Sequence, residues 1–346
     1  MRAMICGYYG QGNGGDEALL VTLLQMLPAN VTPVVLSANP ALTQERYGVE
    51  ACPARAWPEI WQQLRRADLF IWGGGSLMQD ATSWTSPLYY AGLMALAQSL
   101  GLQTLAWGQG IGPLRRPWTC WLTRWVLGRC SEVSVRDQAS AALLKQWHIP
   151  ALLAPDPVWA LQAKPGDGSL ALPENRVAVN LRRHPSLTPE RLQCLGEALR
   201  DFQNATQAHI CLVPFQKSQD WAMAEALTRH LPGNYQIVYR EDPRELMALF
   251  QGVRLTIGMR LHSLIMAAAM GSPCFALSYD PKVKQLMQDV GLPGWELQTL
   301  PTDALVISET WQAYFQDNQA LSQEERQNLR QQATEHRTLL TRLCAN

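Results

Sequence analysis

No two of the eight cysteines form a CxxC pair, so the chain offers neither a zinc-site spacing nor a redox motif. Cys6, Cys211 and Cys274 sit inside apolar runs, where a thiol packs as a small hydrophobe; this usage suits a reducing compartment and argues against a disulfide scaffold. DxD spacing is absent, so a divalent-metal clamp for a nucleotide diphosphate is not indicated, and there is no Walker A pattern. Charge is scarce at 17%, against about 25% in a typical domain. The 29 basic residues cancel the 29 acidic ones. A zero balance gives no general attraction to nucleic acid, which is excluded as a partner, and any anion site has to be local. The longest apolar stretch, 88–107, is interrupted by Gln98, Gly101 and Gln103 and reads as a buried helix followed by a strand, not a membrane span. Residues 1–9 are too short an apolar segment for a signal peptide, so the expected location is the cytoplasm. Neither an internal repeat nor a low-complexity tract is visible.

What the chain does have is 346 residues, 47% of them apolar, enough for two domains with cores of their own. Continuous apolar runs alternate with helix-length segments. In the first half the runs are 4–6, 33–36, 68–72, 104–107 and 132–135; in the second they are 177–180, 210–213, 237–239, 254–257 and 274–277. Unbroken rather than alternating apolarity is the mark of parallel strands covered on both faces. The expected fold is α/β: two doubly wound domains facing a cleft. The expected boundaries are an N-terminal domain 1–162, a linker 163–175 rich in Pro, Gly and Asp, a C-terminal domain 176–308 and a helical tail 309–346.

In such sheets ligands lie beyond the carboxyl ends of the strands, so the residues after each strand carry the function. After the first comes Gly7-Tyr8-Tyr9-Gly10-Gln11-Gly12-Asn13-Gly14-Gly15-Asp16-Glu17. It contains GxGxxG, but the second strand ends without the acid a dinucleotide ribose needs, and Asp16 and Glu17 occupy the helix start that pyrophosphate would use. Asp16 is either the helix N-cap or a carboxylate aimed into a cleft to activate a hydroxyl. Gly73, Gly74, Gly75 and Ser76 follow the run 68–72, and Gly108, Gln109 and Gly110 follow 104–107. Three glycine-rich loops at one rim point to a substrate crevice, with Gly12, Asn13, Gly14, Gly74, Gly75, Ser76 and Gln109 as candidate lining. Arg136 at the end of 132–135 either pairs with Asp137 or grips an anion with its fork.

In the second half, Arg182 follows the run 177–180. Arg260 and His262 leave 254–257 and enter a helix start, and Lys282 opens the helix after 274–277. Cations at a helix N-terminus oppose its dipole unless an anion is present. These residues form a pocket inventory for a small, highly charged anion; His262 is alternatively a helix cap.

The segments GYYGQGNGGDEALL (7–20), WGGGSLMQD (72–80), GQGIGP (108–113), SVRD (134–137), NLR (180–182) and GMRLHSLIMAA (258–268) resemble the polysaccharide pyruvyl transferase family, and within it the CsaB type. The resemblance spans residues 1 to about 290. It implies a transferase of GT-B-like fold that moves pyruvate from phosphoenolpyruvate to a sugar as a 4,6-ketal. For the CsaB type it implies ManNAc of a lipid-linked cell-wall precursor and a product that helps anchor S-layer proteins. By motif position, the phosphoenolpyruvate site falls on Arg136, His262 and Lys282, with Arg260 and Arg182 added from the pocket inventory. Phosphoenolpyruvate is a co-substrate, so no cofactor and no metal is expected. Histidine is the side chain that titrates near neutrality, which makes His262 the candidate acid/base; Asp16 is the candidate base for the acceptor hydroxyl, on position alone. The competing functions are a GT-B glycosyltransferase with a nucleotide-sugar donor, for which Asp280 is the nearby acid, and a non-catalytic sugar-binding protein.

The stretch 113–129 carries Arg115, Arg116, Arg124 and Arg129 and no acid. Trp118, Trp121, Leu122 and Trp125 recur at helical spacing. The stripe either packs on the first domain's core, or contacts the inner membrane face as a peripheral docking element.

Overall fold

Nine of the ten apolar runs expected to be strands fall on one, and the tenth, 237–239, touches its strand only at Ile237. In chain order the first part of the computed structural model contains β1 (Arg2–Cys6), α1 (Gly14–Met26), β2 (Thr32–Ser37), α2 (Pro40–Tyr47), β3 (Glu50–Pro53), α3 (Trp57–Leu64), β4 (Leu69–Gly75), α4 (Ser86–Ser99), β5 (Gln103–Gln109), α5 (Pro117–Leu127), β6 (Glu132–Val135), α6 (Gln138–Gln146) and β7 (Leu152–Leu153), then a 3-10 turn at Pro157–Ala160. The second part contains β8 (Arg176–Asn180), α7 (Pro189–Thr206), β9 (His209–Leu212), α8 (Lys217–Thr228), β10 (Tyr235–Ile237), α9 (Pro243–Ala248), β11 (Leu255–Gly258), α10 (Leu261–Ala269), β12 (Cys274–Ser278), α11 (Pro281–Val290), β13 (Gly294–Glu296), α12 (Ala304–Asp317), α13 (Gln323–Ala333) and α14 (His336–Ala345). The structure describes residues 1–81, 83–164 and 172–345; most of the expected linker's Pro-Gly-Asp stretch, 165–171, lies outside them.

The chain divides into two units, Met1–Leu161 with Leu329–Asn346, and Gln162–Asn328. The segment expected as one 309–346 tail is therefore shared. Its first part belongs to the second unit because α12 packs on α7, burying Trp311 and Phe315, with the Phe315 ring 5.5 Å from that of Phe202. Its last part packs α14 against β5 and β6 of the first unit.

Both sheets are parallel throughout. Their orders are β3-β2-β1-β4-β5-β6-β7 and β10-β9-β8-β11-β12-β13. Each reverses direction beside its first strand, as in the doubly wound arrangement. Right-handed crossovers then place α1 and α2 on one face of the first sheet and α3 to α6 on the other. The latter bury one continuous cluster that includes Ile60, Leu64, Tyr90, Met94, Val126, Leu127, Leu144 and Trp147 over Met4, Phe70 and Trp72. Helices on both faces explain why every residue of β4 is buried.

On the opposite face α14 is fastened by a buried histidine. His336 sits with Nδ1 2.9 Å from Ser134 Oγ and Nε2 2.9 Å from the Pro155 carbonyl. Ser134 Oγ accepts the Gly108 N–H, and the Trp107 indole donates to the His336 carbonyl. The Pro155 carbonyl makes Nε2 the donor, and in the neutral ring Nδ1 then accepts the Ser134 hydroxyl. Burial pushes the imidazole down to about 4. An unfolded histidine protonates near 6.5, so between these values the unfolded chain holds the extra proton. The stability contributed by the neutral ring is complete above pH 6.5 and is lost as the pH falls toward 4, to a total of about 3 kcal/mol. Denaturant titrations from pH 7.5 to 4 should show this decline in the parent. His336→Asn should be less stable at neutral pH yet lose less below 6.5; an unchanged pH slope in the variant would contradict the assignment.

Candidate active site

The strand order reverses between β1 and β4 in the first unit and between β8 and β11 in the second. Loops leaving those strands diverge and open a crevice at the carboxyl edge. Each unit places its candidate residues at that edge.

In the first unit the cap of α1 is Asn13, not Asp16. Asn13 Oδ1 accepts the Gly15 N–H at 3.1 Å, and its Nδ2 donates to Asp16 Oδ2 at 2.5 Å. Asp16 lies in the first helical turn. The end of β4 meets it: a Cβ built on Gly75 would stand 3.4 Å from Asp16 Oδ1, and Gly75 has φ +93°, a conformation that glycine takes without strain. Gly74, Gly75, Asn13, Gly14 and Asp16 thus converge at the β1/β4 switch point, with Gly12 exposed on the loop before them. Beneath them Tyr9 is buried and its hydroxyl donates to the Gly73 carbonyl; a Cβ on Gly73 would fall 2.1 Å from that hydroxyl oxygen. This glycine therefore makes room for a tyrosine rather than for a ligand. Glu17, also buried, accepts the Gly10 N–H and the Tyr47 hydroxyl, each at 2.8 Å. Burial raises its carboxyl above the usual range.

Arg136 does not pair with Asp137, which caps α6 by accepting the Ser140 N–H at 2.7 Å. Its guanidinium donates to Asp156 Oδ2 at 2.6 Å and to Ser76 Oγ at 3.1 Å, and both members of the ion pair are nearly buried. Ser76 is joined to the site in this way. Gln109 is turned inward. The β5–β6 register shifts between Ala106 and Gln109, and a bulge of this kind re-aims a side chain. Its Nε2 donates to the Trp107 and Trp72 carbonyls, so it braces the sheet instead of lining a crevice.

In the second unit Asn180 ties the strand ends together. Its Nδ2 donates to the Val213 carbonyl and its Oδ1 accepts the Arg260 N–H. Arg260 is the N-cap residue of α10. It is not open to a ligand as expected: Nε and one terminal nitrogen each reach Asp220 at 2.7 Å in a two-pronged, buried pair. Arg182 donates to the Tyr279 hydroxyl and to Gln219 Oε1, both at 2.9 Å, and its guanidinium carbon lies 5.1 Å from the centre of the Tyr279 ring. The His184 ring lies 4.7 Å from that of Tyr279, tilted by 52°; burial, then the nearby Arg182, lowers its imidazole below the usual value. His262 occupies the first turn of α10 and Lys282 the first turn of α11, helices that touch. Asp280 caps α11 by accepting the Lys282 N–H at 2.8 Å, which gives this acid a structural task and offsets part of the dipole.

Arg182, Arg260, His262 and Lys282 are thus gathered along the carboxyl edge of β8, β11 and β12, and Asp16, Ser76 and Arg136 along that of β1, β4 and β6. Asp156, Asp220, Gln219, Tyr279 and His184 were missed by sequence reasoning. Asp156 and Asp220 are distant in sequence from the arginines they hold, and no local pattern marks them. Among the described residues no group of three or more His, Cys, Asp or Glu is placed to hold a metal ion.

The profile of the polysaccharide pyruvyl transferases matches residues 13–281. The chain belongs to the polysaccharide pyruvyl transferase family. The matched region takes in Asp16, Arg136, Arg182, Arg260 and His262 and stops just short of Lys282. A curated relative, the amylovoran biosynthesis protein AmsJ of Erwinia amylovora, is 42% identical over 60 residues, 17% of this chain and only 14% of that protein. Solved structures similar to this pyruvyl transferase family member include UDP-GlcNAc 2-epimerases. The one from Methanocaldococcus jannaschii has a TM-score of 0.67 at 11% identity, and that from Neisseria meningitidis 0.64 at 10%, each over 100% of both chains. At such identity they establish the fold alone, two Rossmann-like units of GT-B-like type.

The Arg260–Asp220 pair generates a stability test. Arg260→Ala leaves a buried carboxylate with only the Phe215 and Gln216 N–H groups to meet its charge and should cost about 3 kcal/mol in urea unfolding. Arg260→Met with Asp220→Asn should recover part of the loss, because the amide oxygen can still accept the buried Phe215 and Gln216 N–H groups that Asp220 holds. A cost below about 1 kcal/mol for the single variant would show that the pair is not a structural element.

Proposed function

We propose that this transferase moves pyruvate from phosphoenolpyruvate to ManNAc of a lipid-linked cell-wall glycan precursor, forming a 4,6-ketal and releasing phosphate, as a member of the CsaB type whose product serves S-layer anchoring. The observation that carries the donor assignment is the gathering of Arg182, His262 and Lys282 along one sheet edge. Phosphoenolpyruvate bears a carboxylate and a phosphate on a very small frame, and cationic groups with little apolar lining are what it requires. The family supports pyruvyl transfer, and the relative named for amylovoran biosynthesis supports a glycan acceptor. Among the described residues no helix is long and apolar enough to cross a membrane, which is compatible with work at the cytoplasmic side.

The chemistry needs a proton delivered to C3, attack of a sugar hydroxyl on C2 and departure of phosphate, after which a second hydroxyl of the same sugar closes the ketal. His262 acts as general acid toward C3. Lys282 and Arg182 meet the donor's negative charge and stabilise it as phosphate leaves. Arg136, fixed by Asp156 and Ser76, presents an oriented guanidinium for an anion, and Asp16 takes the proton of the acceptor hydroxyl. Arg260 positions the start of α10 and touches no substrate in this account. The nucleotide-sugar alternative required Asp280 for a ribose; its carboxylate caps α11 instead.

Phosphate release from phosphoenolpyruvate in the presence of acceptor tests the assignment. His262→Ala should lower the rate at least about 100-fold with the fold intact, since general acids supply about 10²–10⁴-fold; more than about a tenth of the parent rate would remove His262 from that role. Arg136→Lys should raise the KM for phosphoenolpyruvate, because a point charge cannot keep both Asp156 and Ser76 in place. Since arginine, lysine and histidine meet the donor's charge, EDTA should leave turnover unchanged.

A further inference from the structure

Helix α5 distributes its side chains against the usual rule. The face turned to the core carries Thr119, Thr123, Val126 and Leu127, while three tryptophans face outward. The threonine hydroxyls are satisfied, Thr119 by the Asp80 carboxylate and Thr123 by the Thr119 carbonyl. Trp118 is 38% exposed, Trp121 64% and Trp125 39%. Burying a large aromatic side chain is worth about 2 kcal/mol or more, so this arrangement forgoes stability in the isolated chain. The outward rings are ordered: Trp121 and Trp125 stack with centroids 6.1 Å apart and planes at 11°, and the Arg129 guanidinium lies 5.2 Å from the Trp125 centroid. The start of the helix is anchored as well, since Asp80 accepts the Arg115 and Arg116 N–H groups and the Thr119 hydroxyl.

The exposed apolar surface continues over the neighbouring helices of the same layer. Trp57 and Trp61 of α3 are 54% and 44% exposed, and Trp84 and Leu88 beside and in α4 are 57% and 46% exposed. Trp57 meets Tyr89 of α4 edge-on at 6.3 Å, and α4 packs on α5. Charge along this surface has one sign for a long distance: residues 81–131 contain Arg115, Arg116, Arg124 and Arg129 and no acid, with Glu59 the acid of α3 and Arg65 and Arg66 following it.

We propose that this tryptophan–arginine layer docks the first unit on an anionic lipid bilayer. Indole rings suit the headgroup level, where one edge meets hydrocarbon and the N–H meets water, and arginines beside them meet lipid phosphates. The charge complementarity favours an anionic bilayer over an apolar protein partner. The use of the surface, access to a lipid-linked acceptor, rests on the function proposed above; the docking itself does not.

The test is flotation of the full chain with phosphatidylglycerol-containing vesicles and with pure phosphatidylcholine vesicles. The parent should bind the first and not the second. Arg124→Glu with Arg129→Glu should weaken binding at least about 30-fold, corresponding to about 1 kcal/mol per arginine removed. Trp121→Ser with Trp125→Ser should weaken it comparably, with the helical content in circular dichroism retained because neither ring is part of the buried core. Either double variant should slow pyruvylation of a lipid-linked acceptor and spare a water-soluble one. Failure of the parent to bind, equal binding to both vesicles, equal binding by the variants, or a dimer that the same variants dissociate would overturn the proposal. Variant-sensitive vesicle binding with neither acceptor pyruvylated would uphold the surface and overturn the acceptor assignment.

Discussion

An arginine withdrawn from water at the edge of a parallel sheet is tolerated only when a carboxylate meets it with good hydrogen-bond geometry, and this constraint organises both units. Arg136 is held by Asp156, and Arg260 by Asp220. Desolvating two such charges costs several kcal/mol per ion, which close pairing offsets only when the remaining donors are also placed. The surrounding groups meet that condition: Ser76 for Arg136, and Gln216 and Gln219 near Arg260. The result is a carboxyl edge whose backbone is fixed independently of any substrate. Ser76 is tied to β6, the start of α10 to α8, and Arg182 reaches the same Gln219. A small anion with two charged ends needs this kind of prepared edge, because a mobile arginine would lose rotamer freedom on every binding event.

The first unit treats its two sheet faces differently. On one, the chain returns from the second unit and seals β5 and β6 with α14, where His336, Ser134 and the Trp107 indole form a dry, fully paired network. His336 bonds the Pro155 carbonyl, next to the Asp156 that holds Arg136, so the end of the chain braces that ion pair. On the other face, α3 to α5 cover the sheet but leave their tryptophans outside. The same layer therefore provides core packing on one side and an amphipathic surface on the other, and Asp80 links it to the loop after β4.

Much of this was legible in the sequence. Unbroken apolar runs revealed ten strands because parallel strands are buried on both faces, and the strand–loop–helix rule then located the glycine loops and the second unit's cations. The strands β3, β7 and β13 escaped notice: all three lie at sheet edges, β7 has only two residues, and Glu50 and Gly294 break the apolar pattern of the other two. Side-chain direction was less readable. Gln109 follows its strand as a ligand-lining residue would, but a register shift turns it inward. Arg260 resembles an anion ligand until Asp220, forty positions away, is brought against it. The tryptophan stripe of α5 had the periodicity of a core face; the helix instead turns Thr119 and Thr123 inward, where the Asp80 carboxylate and the Thr119 carbonyl accept their hydroxyls, a fact that no count of apolar residues contains.

The account stands most directly on one measurement. The full chain is incubated with phosphoenolpyruvate and a synthetic ManNAc-GlcNAc lipid-diphosphate, and the acceptor is analysed by mass spectrometry. The account predicts an acceptor heavier by one pyruvyl ketal, formed together with an equivalent of phosphate and absent when His262 is replaced by alanine. An unchanged acceptor, with a UDP-sugar consumed in place of phosphoenolpyruvate, would contradict it.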